Sequence, residues 1–203
     1  MRVADRVACP DFPCGDVDDR RHEVPAGRVD PERVRLILVA EAPPAEAADG
    51  LFAPGMPFHL EATLDAFRAA GATATSLDDL AALGVYLTTA VKCAKVGYGV
   101  GRPTVEACSR LLETEMDLFP RAQVIMLMGG VAIGAFNAIA RRRAGKRLIP
   151  SDPTYKVRAG EYWFEGKRVF PCYLQTGRSY LIERSKREMI AADLKAALAL
   201  VGG

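Results

Sequence analysis

The residues Arg33–Ala42, with the sequence R-V-R-L-I-L-V-A-E-A, contain an uninterrupted apolar run that stops before Pro43 and Pro44. A short apolar run closed by prolines is typical of a strand that is buried on both faces, as in a parallel sheet. Two more segments of this kind follow, Val85–Val91 (V-Y-L-T-T-A-V) and Ala122–Met128. The sequence therefore predicts at least three buried strands.

Segments with helical periodicity alternate with these strands. Leu60, Leu64 and Phe67 recur at spacings of four and three, which predicts an amphipathic helix over Leu60–Ala70. The further predicted elements are helices at Asp78–Leu83, Pro103–Phe119, Val131–Arg142 and Ser185–Val201, and a fourth strand at Val169–Leu174. This alternation predicts a three-layer α/β/α fold with a central parallel sheet of about four strands, in a single domain over residues 1–203.

The composition excludes several classes of protein. Of the 203 residues, 50% are apolar and 26% are charged, which excludes a disordered tail, a collagen-like repeat and a coiled-coil rod. No apolar stretch approaches the roughly 20 residues of a membrane helix. Residues 1–14 lack the apolar core of a signal peptide. We therefore expect a monomeric, cytoplasmic protein that does not enter a membrane.

The overall charge says little about partners. The 27 basic and 25 acidic residues leave a net charge of +2, which does not by itself indicate a polyanionic partner. One run, Arg141–Arg147 (R-R-R-A-G-K-R), concentrates positive charge. Such runs are usually solvated helix ends, but this one would also suit a phosphate backbone.

The five cysteines indicate a metal site more than a disulfide framework, because we expect a reducing compartment. Cys9 and Cys14 flank a proline-rich turn, Cys93 ends the second strand, and Cys108 lies in the next helix. Four thiolates from these segments can bind zinc or a 4Fe–4S cluster. The alternative is that Cys93 and Cys108 are ordinary buried residues. Cys172, inside the fourth strand, is expected in the core.

Other motifs lie where strands end, at the edge of a parallel sheet where ligands bind. Glu41, in A-E-A-P-P, can orient water or a polar ligand, although a solvated loop glutamate is commoner. Phe58, in G-M-P-F, either stacks on a planar ring or packs under its own helix. Gly129 permits a close backbone approach to a phosphate, or only a tight turn. We expect both histidines, His22 and His59, at the surface.

Taken in order, these motifs resemble those of the uracil-DNA glycosylase superfamily, specifically its iron–sulfur branch, often called family four. The family's G-E-x-P-G motif is similar to A-E-A-P-P at Ala40–Pro44, and its G-x-P-F motif is matched at Gly55–Phe58. Its T-N-x-x-K-C motif is similar to T-T-A-V-K-C at Thr88–Cys93. A glycine before an alanine-rich helix follows at Gly129–Phe136. The resemblance runs from Cys9 to the last helix.

The resemblance implies a DNA glycosylase that removes a deaminated base, uracil or a deaminated purine, from single- or double-stranded DNA in base-excision repair. It also implies a 4Fe–4S cluster. The residues expected to act are Glu41 in catalysis, Ala42, Phe58 and Thr89 at the base, Lys92 on the DNA, and Cys9, Cys14, Cys93 and Cys108 on the cluster.

This chain differs from the family pattern in three places. Thr89 replaces the asparagine that reads the uracil edge, and a hydroxyl that can donate or accept should relax discrimination. The N-terminal cysteines are spaced C-x-x-x-x-C where the family has C-x-x-C. After the last strand, Leu174–Tyr180 (L-Q-T-G-R-S-Y) replaces the family's His-Pro-Ser motif. We therefore expect Gln175 and Thr176 to assist catalysis at the departing base, and Arg178 to contact DNA.

The competing hypothesis is a nucleic-acid- or nucleotide-binding module of the same fold without glycosylase activity. The absence of the family's histidine favours this module, whereas Glu41 and Phe58 favour an active pocket. A different small-molecule enzyme on the same sheet is a third hypothesis.

Overall fold

A sheet of five strands forms the centre of the protein in the computed structural model, which describes residues 1–174 and 183–202. The strands, numbered along the chain, are β1 (Val17–His22), β2 (Leu36–Ala40), β3 (Val85–Thr89), β4 (Cys93–Lys95), β5 (Val124–Met128), β6 (Tyr162–Phe164) and β7 (Lys167–Cys172). The central sheet has the order β3-β2-β5-β7-β6. Its first four strands are parallel, and β6 is antiparallel to β7.

Helices cover both faces of this sheet. They are α1 (Phe58–Ala69), α2 (Leu77–Ala82), α3 (Arg102–Met116), α4 (Gly130–Ala144), α5 (Thr154–Val157) and α6 (Arg184–Val201). Helices α3 and α4 pack on one face, and α1 and α6 pack on the other. None of the helices in the described residues is long and apolar enough to cross a membrane.

Burial on both faces explains why the central strands are continuous apolar runs. Every residue of β2, β3 and β5 is buried. Successive side chains of a strand point to opposite faces, so Ile37 and Val39 join the core under α3 and α4, whereas Leu36 and Leu38 join the core under α1 and α6. The predicted α/β/α fold with four parallel strands is confirmed.

The fifth strand of the sheet, β6, was not predicted. It is an edge strand of three residues, too short to show an alternating pattern, and it leads into β7 through Glu165 and Gly166. Both turn residues have positive φ, 48° and 78° respectively, which is the backbone that a two-residue hairpin turn requires.

A second, two-stranded ribbon pairs β1 with β4 in antiparallel orientation. The sequence V-D-D-R-R-H of β1 is too polar to be recognised as a strand. The predicted strand Val85–Val91 ends at Thr89 instead, and the chain then turns into β4. In the ribbon, His22 is the partner of Cys93, so residues far apart in sequence become neighbours.

Candidate functional site

Glu41 follows β2 at the carboxyl end of the sheet, and an ion pair holds its carboxylate. Lys95, the last residue of β4, has its Nζ 3.1 Å from Oε2 of Glu41. The Glu41 side chain is 18% exposed, so the carboxylate is largely enclosed but reachable. A carboxylate restricted in this way is suited to positioning a water molecule or a developing positive charge.

Gly129, between β5 and α4, lies directly against this carboxylate. A Cβ at residue 129 would be 2.6 Å from Oε1 of Glu41, and the backbone of Gly129 has φ of +95°. Both features require glycine, since a side chain would collide with Glu41 and would strain the backbone. The G-G turn therefore makes room for Glu41, which is a role that the sequence alone did not reveal.

Thr89, at the end of β3, is a neighbour of Glu41 across the strands. Thr89 is the register partner of Ala40, and beyond the strands the N–H of Val91 donates to the carbonyl of Glu41 at 2.9 Å. Ala42 and Thr89 are both buried. The structure therefore brings three of the predicted site residues, Glu41, Ala42 and Thr89, to adjacent strand ends.

Phe58 and His59 form the first turn of α1, which begins earlier than the predicted Leu60 because Pro57 precedes it in an extended conformation. Phe58 is half-buried and packs beside the core under α1. His59 is only 5% exposed, and its Nε2 has no hydrogen-bond partner. Burial, with the nearby positive charge of Lys95, lowers the pKa of His59 to about 4. The expected surface position of His59 is therefore wrong.

The four predicted cluster ligands line one cavity of about 330 Å³. They come from three places in the chain: the N-terminal turn (Cys9 and Cys14), β4 (Cys93) and α3 (Cys108). The cavity wall is mainly apolar, with a few polar residues. Cys172 is not among its lining residues; it is fully buried in β7 and its thiol donates to Asp193 at 3.2 Å. The prediction that Cys172 is a core residue is confirmed.

Burial and the neighbouring thiols raise the pKa values of two cysteines in the cavity. Burial raises the pKa of Cys93 to about 12, and the thiols of Cys108, Cys9 and Cys14 add to the effect. Burial also raises the pKa of Cys108, although the backbone N–H of Lys92 donates to its sulfur at 3.2 Å. Thiolates at these positions therefore need a positively charged partner, which is what a metal centre supplies.

The N-terminal segment is fixed to α3 by contacts that need no metal. The carboxylate of Asp16 accepts hydrogen bonds from the N–H of Gly101 at 2.6 Å and from the hydroxyl of Thr104. The hydroxyl bond lowers the pKa of Asp16. Because Asp16 follows Cys14 closely, these bonds hold the N-terminal turn beside Cys108.

Four thiols beside a mainly apolar space are the residue types that iron–sulfur and zinc centres use. Among residues 1–174 and 183–202, no group of three or more His, Cys, Asp or Glu side chains is arranged so that it could hold a metal ion. The thiols therefore surround a space and do not converge on one point.

Comparison with known proteins decides the family. Residues 26–196 match the uracil DNA glycosylase superfamily. The chain belongs to this superfamily. The type-5 uracil-DNA glycosylase of Thermus thermophilus is 33% identical over 128 residues, which are 62% of this chain and 54% of the relative. The chain thus spans about half the length of that curated relative, whose name is type-5 and not family four.

For a superfamily member, Lys92 has an unexpected position. It was predicted to contact DNA, but its side chain is 0% exposed and pairs with the equally buried Glu115 of α3. Its Nζ also donates to the Thr89 carbonyl at 2.6 Å and to the Thr88 hydroxyl at 2.8 Å. The hydroxyl of Tyr86 donates to the other carboxylate oxygen of Glu115 at 2.6 Å. Lys92 therefore ties β3 to α3 and cannot reach a phosphate.

His22 is a cavity residue that the sequence analysis missed. It lines the cysteine cavity, and its Nε2 is buried without a hydrogen-bond partner. Burial, with the charge of Lys92, lowers its pKa. Only recognition of the polar strand β1 and of its pairing with β4 could have located His22 beside the cysteines.

The basic run Arg141–Arg147 is divided between two roles. Arg142 and Arg143 pair with the carboxylates of α3, chiefly Glu113. Arg141 and Arg147 line a groove of about 370 Å³. Arg102, the first residue of α3, and Gly130, the first residue of α4, line the same groove. In the described part of the chain, Arg102 and Arg141 have no carboxylate partner. This groove, the arginine groove, brings three arginines together, although Glu106 also lines it.

The remaining predicted site residues are Gln175, Thr176 and Arg178. They lie outside the described residues.

Proposed function

We propose that this superfamily member is a DNA glycosylase that removes a deaminated base, uracil or a deaminated purine, by hydrolysis of the N-glycosidic bond. The observation that carries the proposal is the enclosed carboxylate of Glu41, held by Lys95 and Gly129 at the carboxyl end of the sheet. An acid fixed at the strand ends of a chain in this superfamily is the group that such a hydrolysis needs.

The base enters this site only after it leaves the stack, because the bond to be broken is inaccessible inside a duplex. Phe58 stacks on the extruded base at the start of α1. Thr89 and the backbone at Ala42 contact the edge of the base. The Thr89 hydroxyl can donate or accept a hydrogen bond, which favours a broader range of deaminated bases than an amide would allow.

Glu41 directs the hydrolysis. Its carboxylate positions a water molecule, or stabilises the positive charge that develops on the sugar as the C–N bond breaks. The oxygen of water bonds to the sugar carbon, and the base leaves with the electron pair of the broken C–N bond. The proton that the water loses ends on the departed base. Gln175 and Thr176 stabilise the negative charge on the departing base, and Arg178 contacts the DNA.

DNA, single- or double-stranded, is the proposed partner, and the arginine groove supports this proposal. The groove runs along α4 from Gly130, next to Gly129, to Arg141 in the last turn of the helix, and Arg102 lines it from the start of α3. A strand whose base occupies the Glu41 site would pass the groove with its phosphates. We further propose that the protein acts as a monomer in the cytoplasm as a DNA repair enzyme.

A 4Fe–4S cluster is the proposed cofactor, with Cys9, Cys14, Cys93 and Cys108 as its ligands. A zinc ion would bring four sulfurs to about 2.3 Å from one point, whereas these thiols line a cavity of about 330 Å³. The cavity therefore favours the larger cluster. When bound, it would join the N-terminal turn to β4 and α3, which is a structural role.

The activity is tested with oligonucleotides that carry a single uracil, hypoxanthine or xanthine, in single strands and in duplexes. The protein should produce abasic sites, detected as alkali-labile breaks, on at least one of these substrates. Tight binding to all of them with no abasic sites would instead favour the second candidate, a binding module without hydrolysis. The absence of histidine from residues 174–182 is the observation that favours that candidate.

A further inference from the structure

The ammonium group of Lys95 has hydrogen-bonding capacity that the described residues do not use. Its Nζ donates to Oε2 of Glu41 at 3.1 Å, and within residues 1–174 and 183–202 it has no second acceptor. An ammonium group has three N–H donors, so two remain for a ligand. The Lys95 side chain is 16% exposed, which means that protein encloses it without sealing it from a ligand at the Glu41 site.

Backbone hydrogen bonds hold Lys95 in this place. Its N–H donates to the carbonyl of Pro43 at 3.0 Å, and the N–H of Val91 donates to the carbonyl of Glu41 at 2.9 Å. Lys95 is also the register partner of Val17 in the β1–β4 ribbon. Because the ribbon and the loop after β2 both fix its backbone, the charge of Lys95 belongs to the folded site and is not that of a surface side chain.

Lys95 adjoins the first turn of α1 as well as Glu41. Its positive charge is close enough to the buried ring of His59 to help lower the pKa of that histidine. His59 directly follows Phe58, the residue proposed to stack on the base. The charge of Lys95 is therefore near both the proposed acid and the turn that carries the proposed stacking residue.

The charges of the Glu41–Lys95 pair match the charges that hydrolysis creates. As the C–N bond breaks, positive charge develops on the sugar, and the base becomes negative because it takes the electron pair. Glu41 and Lys95 present one negative and one positive charge whose atoms are 3.1 Å apart. Fixed charges and donors placed where charge develops are usually the largest source of transition-state stabilisation.

We propose that Lys95 is a catalytic residue, which donates a hydrogen bond from Nζ to the departing base and stabilises its negative charge. The inference rests on the proposed function and adds a residue to it. Lys95 keeps its proton throughout, since the proton that the water loses is the one that ends on the base. The charge of Lys95 adds to the neutral hydrogen bonds proposed for Gln175 and Thr176.

The test compares two leaving groups, uracil and 5-fluorouracil, in single-turnover release from a duplex at saturating protein. 5-Fluorouracil is the more acidic base, so its anion needs less stabilisation. Lys95→Met should release uracil about a hundredfold more slowly than the wild type, and should slow the release of 5-fluorouracil less. Lys95→Arg keeps a positive charge and should retain the wild-type ratio of the two rates. Lys195→Met, an exposed change in α6, is the control and should match the wild type.

Equal slowing of both bases in Lys95→Met would overturn the proposal, because Lys95 would then act only by holding Glu41. The proposed function would survive that result, since the wild type would still release the bases.

A second measurement does not depend on cleavage. An oligonucleotide carries 5-fluorouracil on a sugar whose 2′-fluorine makes the glycosidic bond resistant to hydrolysis, and ¹⁹F NMR follows the ionisation of the base N–H with pH. The pKa of the base should be lower when it is bound to the wild type than when it is bound to Lys95→Met. Equal pKa values would overturn the proposal. A wild type that lowers this pKa but releases no base would support the role of Lys95 and contradict the proposed hydrolysis alone.

Discussion

Lys92 carries its charge inside the protein, where Glu115 is its counter-ion. Removal of one partner from a buried ion pair leaves an uncompensated charge, which typically costs about 3–5 kcal/mol. We expect Lys92→Met to lower the free energy of unfolding by an amount in this range, measured by urea denaturation. The change should exceed that of a surface lysine, because the Lys92 side chain is 0% exposed.

The matched control is the double variant Lys92→Met with Glu115→Leu. It removes both charges and should recover part of the lost stability, because no buried charge is left without a counter-ion. The recovery should be incomplete, since the hydroxyls of Tyr86 and Thr88 lose Glu115 as their acceptor. Unchanged stability in Lys92→Met alone would contradict the buried ion pair and would indicate that the Lys92 side chain is exposed.

His59 makes the stability of the protein depend on pH. Its pKa is lowered to about 4 by burial in the folded protein, whereas an unfolded histidine titrates near 6.5. Between these values the unfolded chain binds the proton more tightly, so stability falls as pH decreases through this window. The loss contributed by this residue should be on the order of 3 kcal/mol by pH 4.

The measurement is urea denaturation at pH 7, 5.5 and 4.5, compared with the same series for His59→Gln. The variant lacks the titrating group, so the difference in stability between variant and wild type should change as pH falls. A constant difference across the series would show that His59 is not buried in the neutral form.

At the scale of elements, the sequence predicts the strands that are buried on both faces, because they are apolar throughout. It does not predict a strand that exists only because it pairs with another strand. The apolar runs of β2, β3 and β5 leave no alternative to a covered parallel sheet. The polar strand β1 forms because β4 pairs with it. The sequence of β1 has no alternation of apolar and polar residues that would predict a strand. His22 was missed for the same reason, since its place at the cysteine cavity depends on that pairing.

The N-terminal turn and the β1–β4 ribbon are the elements that the proposed cluster would join. Cys14→Ser should abolish iron binding and accelerate hydrogen exchange in β1 and β4, while the central sheet keeps its protection. Cys172→Ser is the matched control, because Cys172 contacts Asp193 away from the cavity. It should retain the full iron content. Iron loss in Cys172→Ser, or full iron content in Cys14→Ser, would contradict the proposed ligand set.

The arginine groove between α3 and α4 should bind DNA through phosphates. Arg102→Ala and Arg141→Ala should each weaken DNA binding and reduce the slope of log K against log salt by about one. Arg121→Ala is the control, since Arg121 precedes β5 at the opposite edge of the sheet and pairs with Glu32. Equal salt slopes in the wild type and both groove variants would exclude the groove as a DNA contact.

Across the whole molecule, the order β3-β2-β5-β7-β6 explains why the predicted site residues meet. Parallel strands end at one edge, so Glu41, Thr89 and Gly129 gather there although long segments of chain separate them. The motifs therefore predicted that these three residues lie at one edge of the sheet. They did not predict the ion pair with Lys95 or the buried position of Lys92, because both depend on contacts between elements that are distant in sequence.

The most direct test of the proposed function is single-turnover cleavage of a duplex with one deaminated base, using the wild type and Glu41→Gln. The wild type should produce abasic sites, and Glu41→Gln should do so at least about a hundredfold more slowly, as expected when a positioned catalytic group is lost. Glu61→Gln, an exposed change in the first turn of α1, should match the wild type. Equal rates in the wild type and Glu41→Gln would contradict the proposed site, and no cleavage of any deaminated base would contradict the proposed activity.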